Sequence, residues 1–114
     1  MNQSSKEVDR IKLYIPKGAY ETMNNGYETI GEIITQRASN EYGGYTKYQA
    51  KGGWMDDKNN MISENVIVIE ILASKDSDIN AKAWLNVNLR TIKKASNEYE
   101  VMGTVNNTMV TVSE

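Results

Sequence analysis

The sequence predicts an α+β fold, one antiparallel sheet with two helices covering a single face. Three observations carry this prediction. Apolar residues recur at helical spacing in two separated windows, 25–42 and 80–95. Alternating or β-branched runs flank both windows. Clusters of Gly, Asn and Asp punctuate the joints between them.

Residues 1–9 are polar and are expected to be loose. Ile11, Leu13 and Ile15 then alternate with Lys12 and Tyr14, a strand that Pro16 ends because proline cannot donate to a ladder. From 25 to 42, Tyr27, Ile30, Ile33, Ile34 and Ala38 fall on one helical face, with Arg37 and Glu41 on the wetter side. Gly26 and Gly31 each weaken this helix by up to about 1 kcal/mol relative to alanine, so its first turns are expected to fray. Gly43-Gly44 terminates it, one of the two in the left-handed conformation.

Residues 43–73 read as a long hairpin around which the rest is arranged. Residues 45–51 alternate, Gly52-Gly53-Trp54 is expected to loosen or bulge the backbone, and Asp56-Asp57-Lys58-Asn59-Asn60 supplies the turn. The chain returns through Val66-Ile67-Val68-Ile69-Glu70-Ile71-Leu72, too short to span a membrane and too β-branched for a helix. Asp76, Ser77 or Asp78 can cap the second helix. Its apolar face is Ala81, Trp84, Leu85, Asn88, Leu89 and Ile92, with Lys93 and Lys94 at the C-terminal end where the dipole favours them and Asn97 closing it. Two short strands, 99–105 and 108–112, join at Asn106-Asn107, residues that accept the positive φ of a tight primed turn.

The order is strand, helix, strand, strand, helix, strand, with one strand appended. Both helices must cross between strands and can cover only one sheet face. This is the ferredoxin-like βαββαβ arrangement, a split βαβ used twice, expected as a single domain over residues 10–114.

Composition narrows the chemistry. The chain has 114 residues, 39% hydrophobic and 25% charged, long enough for one well-buried core. Its net charge of −2 opposes a general affinity for phosphate backbone. There is no cysteine, which removes disulfides, thiolate metal sites and thiol nucleophiles, and no histidine, the commonest base and metal ligand. No signal-like core opens the sequence, and a cytoplasmic protein is expected. No cofactor or metal is implied: the 56–60 stretch fails the calcium-loop pattern, since counting from Asp57 puts Met61 and Val68 where oxygen ligands belong.

An open sheet face should alternate apolar and polar residues. The central strand breaks that rule. With Ile67, Ile69 and Ile71 on the covered face, the other shows Val66, Val68 and Leu72, interrupted by Glu70 and joined by Tyr14. Leaving such side chains wet forgoes roughly 1.5–3 kcal/mol apiece, so these five residues are expected to form an interface, first with a second copy. Glu70 is expected to pair with Lys12, Lys47 or Lys51. The alternative is that the hairpin curls or the C-terminal strands roof this face. Gly43, Gly44 and Tyr45, with Gly52, Gly53 and Trp54, are the candidate ligand loops, whose amides could meet an anion, although neither matches a P-loop or dinucleotide fingerprint.

These motifs, together with the 11–16 strand, resemble small ferredoxin-like proteins of bacteria and their phages and plasmids. The strand order is similar to that of PII-type signalling proteins and dimeric α+β barrels. The PII resemblance implies an oligomer with a small ligand between subunits, but no PII nucleotide-loop signature is present and no binding residue carries over. With no catalytic constellation visible, the residues point to a non-catalytic oligomer acting by stoichiometric binding to a host macromolecule. The alternatives are a binder of nucleotides or other small anions, a barrel-type enzyme using Glu70 and tyrosines, and an RNA-recognition-like protein stacking bases on Tyr14. The last is disfavoured by the missing basic-glycine-aromatic signature.

Overall fold

A computed structural model describes residues 3–113. The strands are β1 (Val8–Pro16), β2 (Thr46–Met55), β3 (Met61–Ser74), β4 (Val101–Val105) and β5 (Thr108–Val112). The helices are α1 (Lys17–Tyr20), α2 (Ile30–Tyr42) and α3 (Ala81–Ala95). The strands form one antiparallel sheet in the order β2-β3-β1-β4-β5. The first four have the ferredoxin-like order, and β5 extends the sheet beside β4. The C-terminal strands therefore do not roof the open face.

Local chemistry moves several boundaries. β1 starts at Val8, inside the segment expected to be loose. Helix α2 starts at Ile30, not near residue 25, because Thr29 and Glu32 form a reciprocal capping box. Upstream, Asn25 Oδ1 accepts from the amides of Tyr27 and Glu28, which fixes a turn and leaves Tyr27 exposed. Gly43 ends α2 at φ 86°, as expected for a left-handed C-cap. Asn80, rather than Asp76, Ser77 or Asp78, caps α3 by accepting from the Ala83 amide, and Ser96 closes it. Asn106 and Asn107 both have positive φ in the β4–β5 turn.

The Gly52-Gly53-Trp54 stretch carries no bulge. The β2–β3 register runs unbroken from Thr46 opposite Glu70 to Met55 opposite Met61. The tip is closed by Asp56, whose carboxylate accepts from the amides of Lys58 and Asn60.

The core lies between the covered sheet face and the helices. Ile11, Leu13 and Ile15 of β1 and Ile67, Ile69 and Ile71 of β3 meet Ile30, Ile34 and Ala38 of α2 and the predicted apolar face of α3. Asn88, on that α3 face, is buried and bonded on both sides: its amide donates to the Trp84 carbonyl, and its oxygen accepts from Arg37. Among the described residues no helix is long and apolar enough to cross a membrane.

Candidate functional site

The register sets the open-face side chains in rows across the strands. One row is Tyr48, Val68, Tyr14 and Met102. The next is Ala50, Val66 and Pro16, where β1 ends. From Lys51 paired with Asn65 to Met55 paired with Met61, β2 and β3 run on past β1 as a two-stranded arm. On the arm Gly52 faces Glu64, and Trp54 faces Ile62.

A cleft of about 690 Å³ opens at the root of this arm. Its floor is made by Ala50, Gly52 and Val66, and its walls include Tyr14 and Trp54. The chain leaving α3 adds Glu98, Tyr99 and Glu100 to the lining. Trp54 is 48% exposed and Tyr99 82%, so two aromatic rings are left available to an occupant.

The cleft is acidic. Burial first, and then the Glu98 carboxylate, push the Glu64 carboxyl above its ordinary range. Among the described residues no ion pair reaches Glu64 or Glu98; the pairs there involve Glu70 and Asp9. Lys51 is the basic residue of the lining. A site with unpaired carboxylates and open aromatic faces suits a flat ligand carrying positive charge.

The predicted interface residues have divided fates. Val68 is only 2% exposed, flanked in its row by Tyr14 and Tyr48 of the same chain. Glu70 pairs with Lys12, as expected, and also with Arg10, but not with Lys47 or Lys51. Leu72 is 53% exposed. Tyr14 and Val66 line the cleft. The two candidate ligand loops separate as well. Gly52, Gly53 and Trp54 belong to the cleft, whereas Tyr45 lines a shallow groove with Glu28 and Glu32 on α2 and the chain before it. Gly43 serves as the helix cap, and a Cβ added at Gly44 would meet nothing within 4 Å.

Sequence reasoning missed Glu64, Glu98, Tyr99 and Glu100. Counting pairs back from the 56–60 turn puts Glu64 opposite Gly52 and would have found the first. The other three reach the cleft only through the way α3 packs on the sheet, which no local pattern encodes.

No protein-family model matches the sequence, and no curated protein matches it. Two solved structures share the fold over the whole chain. One is a phage SAM lyase in complex with S-methyl-5′-thioadenosine, at a TM-score of 0.67 and 9% identity, aligned over 100% of this chain and 95% of the other. The second is a phage SAM lyase in the apo state, at a TM-score of 0.59, 9% identity and the same coverage. At this identity the likeness is one of fold, and it runs to phage proteins. It corrects the expectation of a non-catalytic protein that binds a host macromolecule: the fold neighbours are enzymes, and one holds a small nucleoside. Of the readings drawn from the sequence, the small-ligand alternative is the one they favour.

Proposed function

We propose that this chain binds S-adenosylmethionine, or a close adenosyl sulfonium, in the arm-root cleft and cleaves it as a lyase, releasing S-methyl-5′-thioadenosine. The observation that carries this reading is the cleft itself, in which open aromatic rings and unpaired carboxylates surround a glycine-floored notch. The ligand has a flat base, a sulfonium and an α-ammonium. Tyr14, Trp54 and Tyr99 offer faces to the base and the sulfonium, while Glu64 and Glu98 offer counter-charge to the cationic groups. The same carboxylates oppose the anionic ligands and phosphate backbones considered from sequence.

In this cleavage the bond from sulfur to the amino-acid chain breaks and both its electrons stay on sulfur. The sulfonium becomes a neutral thioether. A lyase adds no water, so the departing fragment either closes a ring or gains a double bond. In the first case its own carboxylate oxygen takes the carbon that sulfur leaves; in the second the neighbouring carbon gives a proton to a carboxylate of the cleft such as Glu98. The sulfonium loses its charge along the way, so counter-charge set against the α-ammonium, which keeps its charge, holds the ligand without opposing that step. Purified protein should convert S-adenosylmethionine to S-methyl-5′-thioadenosine, followed by chromatography. Glu64→Gln should lower kcat/KM about tenfold to a hundredfold, the worth of a hydrogen bond to a charged group. No product, together with no binding by calorimetry, sinks the reading.

We also propose that copies associate through apolar area left on the arm and open face, where Trp54, Met55, Met61 and Leu72 are exposed. A strict monomer at tens of micromolar by sedimentation removes this.

A further inference from the structure

Along the open face of β2 the side chains run Tyr48, Ala50, Gly52, Trp54: they shrink to nothing and return as the largest residue. A glycine inside a strand weakens it, and usually marks a bulge, a close approach of another backbone, or a close approach of a ligand. The first is excluded by the unbroken register. The second is excluded by what a Cβ at Gly52 would meet: the Val66 Cγ2 at 3.1 Å, a side-chain methyl at the cleft floor, and nothing else within 4 Å. The backbone makes no demand either, because Gly52 is not among the positive-φ glycines. A side chain here would stand opposite Glu64 and narrow the cleft.

We propose that Gly52 is the specificity-determining residue of the cleft: the side chain it lacks leaves the notch in which a flat purine base lies against the hairpin backbone, beside the Trp54 ring. This deepens the adenosyl-sulfonium reading and rests on it. The width of the notch, not a hydrogen bond, then sets what enters.

The test measures S-methyl-5′-thioadenosine binding by calorimetry and by quenching of tryptophan emission, with thermal midpoints alongside. Wild type, Gly52→Ala and Gly52→Val are compared with Gly44→Ala, which adds a methyl in open space away from the cleft. Gly52→Ala should weaken binding about tenfold and Gly52→Val about a hundredfold or more, as extra carbons in a fitted pocket do. The thermal midpoint of Gly52→Ala should stay near that of wild type, the gain of alanine in a strand offset by the few tenths of an ångström that Val66 must yield. Gly44→Ala should bind like wild type, and quenching should fade along the Gly52 series. Equal affinity in all four proteins, binding to wild type without quenching, or a midpoint that falls in step with affinity in Gly52→Ala overturns the assignment. Wild type that binds no S-methyl-5′-thioadenosine and cleaves no S-adenosylmethionine overturns the functional reading, and Gly52's role with it.

Discussion

Gly103 of β4 tests how the sheet is held against α3. It is paired with Leu13 of β1, on the covered face. A Cβ there would lie 2.7 Å from Leu85 Cδ1 and closer still to the Lys12 carbonyl oxygen. The leucine can shift, but the carbonyl belongs to a central strand and cannot move without disturbing the β1–β4 ladder. Overpacking of this kind costs about 3 kcal/mol, offset by up to about 1 kcal/mol because alanine suits a strand better than glycine. The net for Gly103→Ala is a loss of about 2 kcal/mol, or roughly 8 °C in Tm for a domain of this size. Gly18→Ala, which meets nothing within 4 Å and sits in α1, should be neutral or more stable than wild type by up to about 1 kcal/mol. Urea and thermal unfolding followed by circular dichroism measure both. Should Gly103→Ala unfold at the same midpoint as Gly18→Ala, α3 does not lie on β4 as described. The placement of Glu98, Tyr99 and Glu100, which lead from α3 into β4, would then fall too.

The two open-face glutamates of β3 should behave oppositely. Because burial and Glu98 raise the Glu64 pKa in the folded chain, the folded state holds that proton more tightly than the unfolded one. The resulting contribution is fully present below the unfolded pKa and is lost as pH rises through the raised folded value. Glu64→Gln stays neutral, so its stability relative to wild type should improve between pH 3 and pH 7; a difference that does not change with pH refutes the argument. Glu70→Gln instead removes contacts to Arg10 at 3.1 Å and Lys12 at 3.7 Å. These pairs are partly exposed, so the loss should be about 1 kcal/mol or less at neutral pH. Formation of S-methyl-5′-thioadenosine should be unaffected, and its disappearance would move the chemistry to Glu70.

What the sequence disclosed, and what it hid, follows from the range of the forces involved. The α3 face from Ala81 to Ile92 was legible because six residues repeat one period and all are buried. The primed turn at Asn106 and Asn107 was legible because few residues tolerate its φ. Tyr27 misled, since its spacing fits the α2 stripe while Asn25 and Thr29 set a turn and a cap that outcompete one more helical turn. Gly52 was noticed, both as a loosened or bulged stretch and as part of a candidate ligand loop; that it stands opposite Glu64 in a regular ladder was hidden, because pairing is a long-range fact. Val68 looked like wet aliphatic surface because alternation says only which face a residue occupies. Whether it is dry depends on Tyr14 and Tyr48, which flank it from other strands.

The arm carries one more consequence. From Lys51 to Met55 on β2, and from Met61 to Asn65 on β3, each strand has only the other for a ladder partner, and a lone pair of strands is marginally stable in water. Its amide hydrogens should therefore exchange far sooner than those of β1, which is hydrogen-bonded on both sides. A molecule lodged between the ribbon and the 98–100 segment would bridge the two. Its arrival should be recorded as slowed exchange at Gly52, Gly53 and Trp54, well before any change in overall shape.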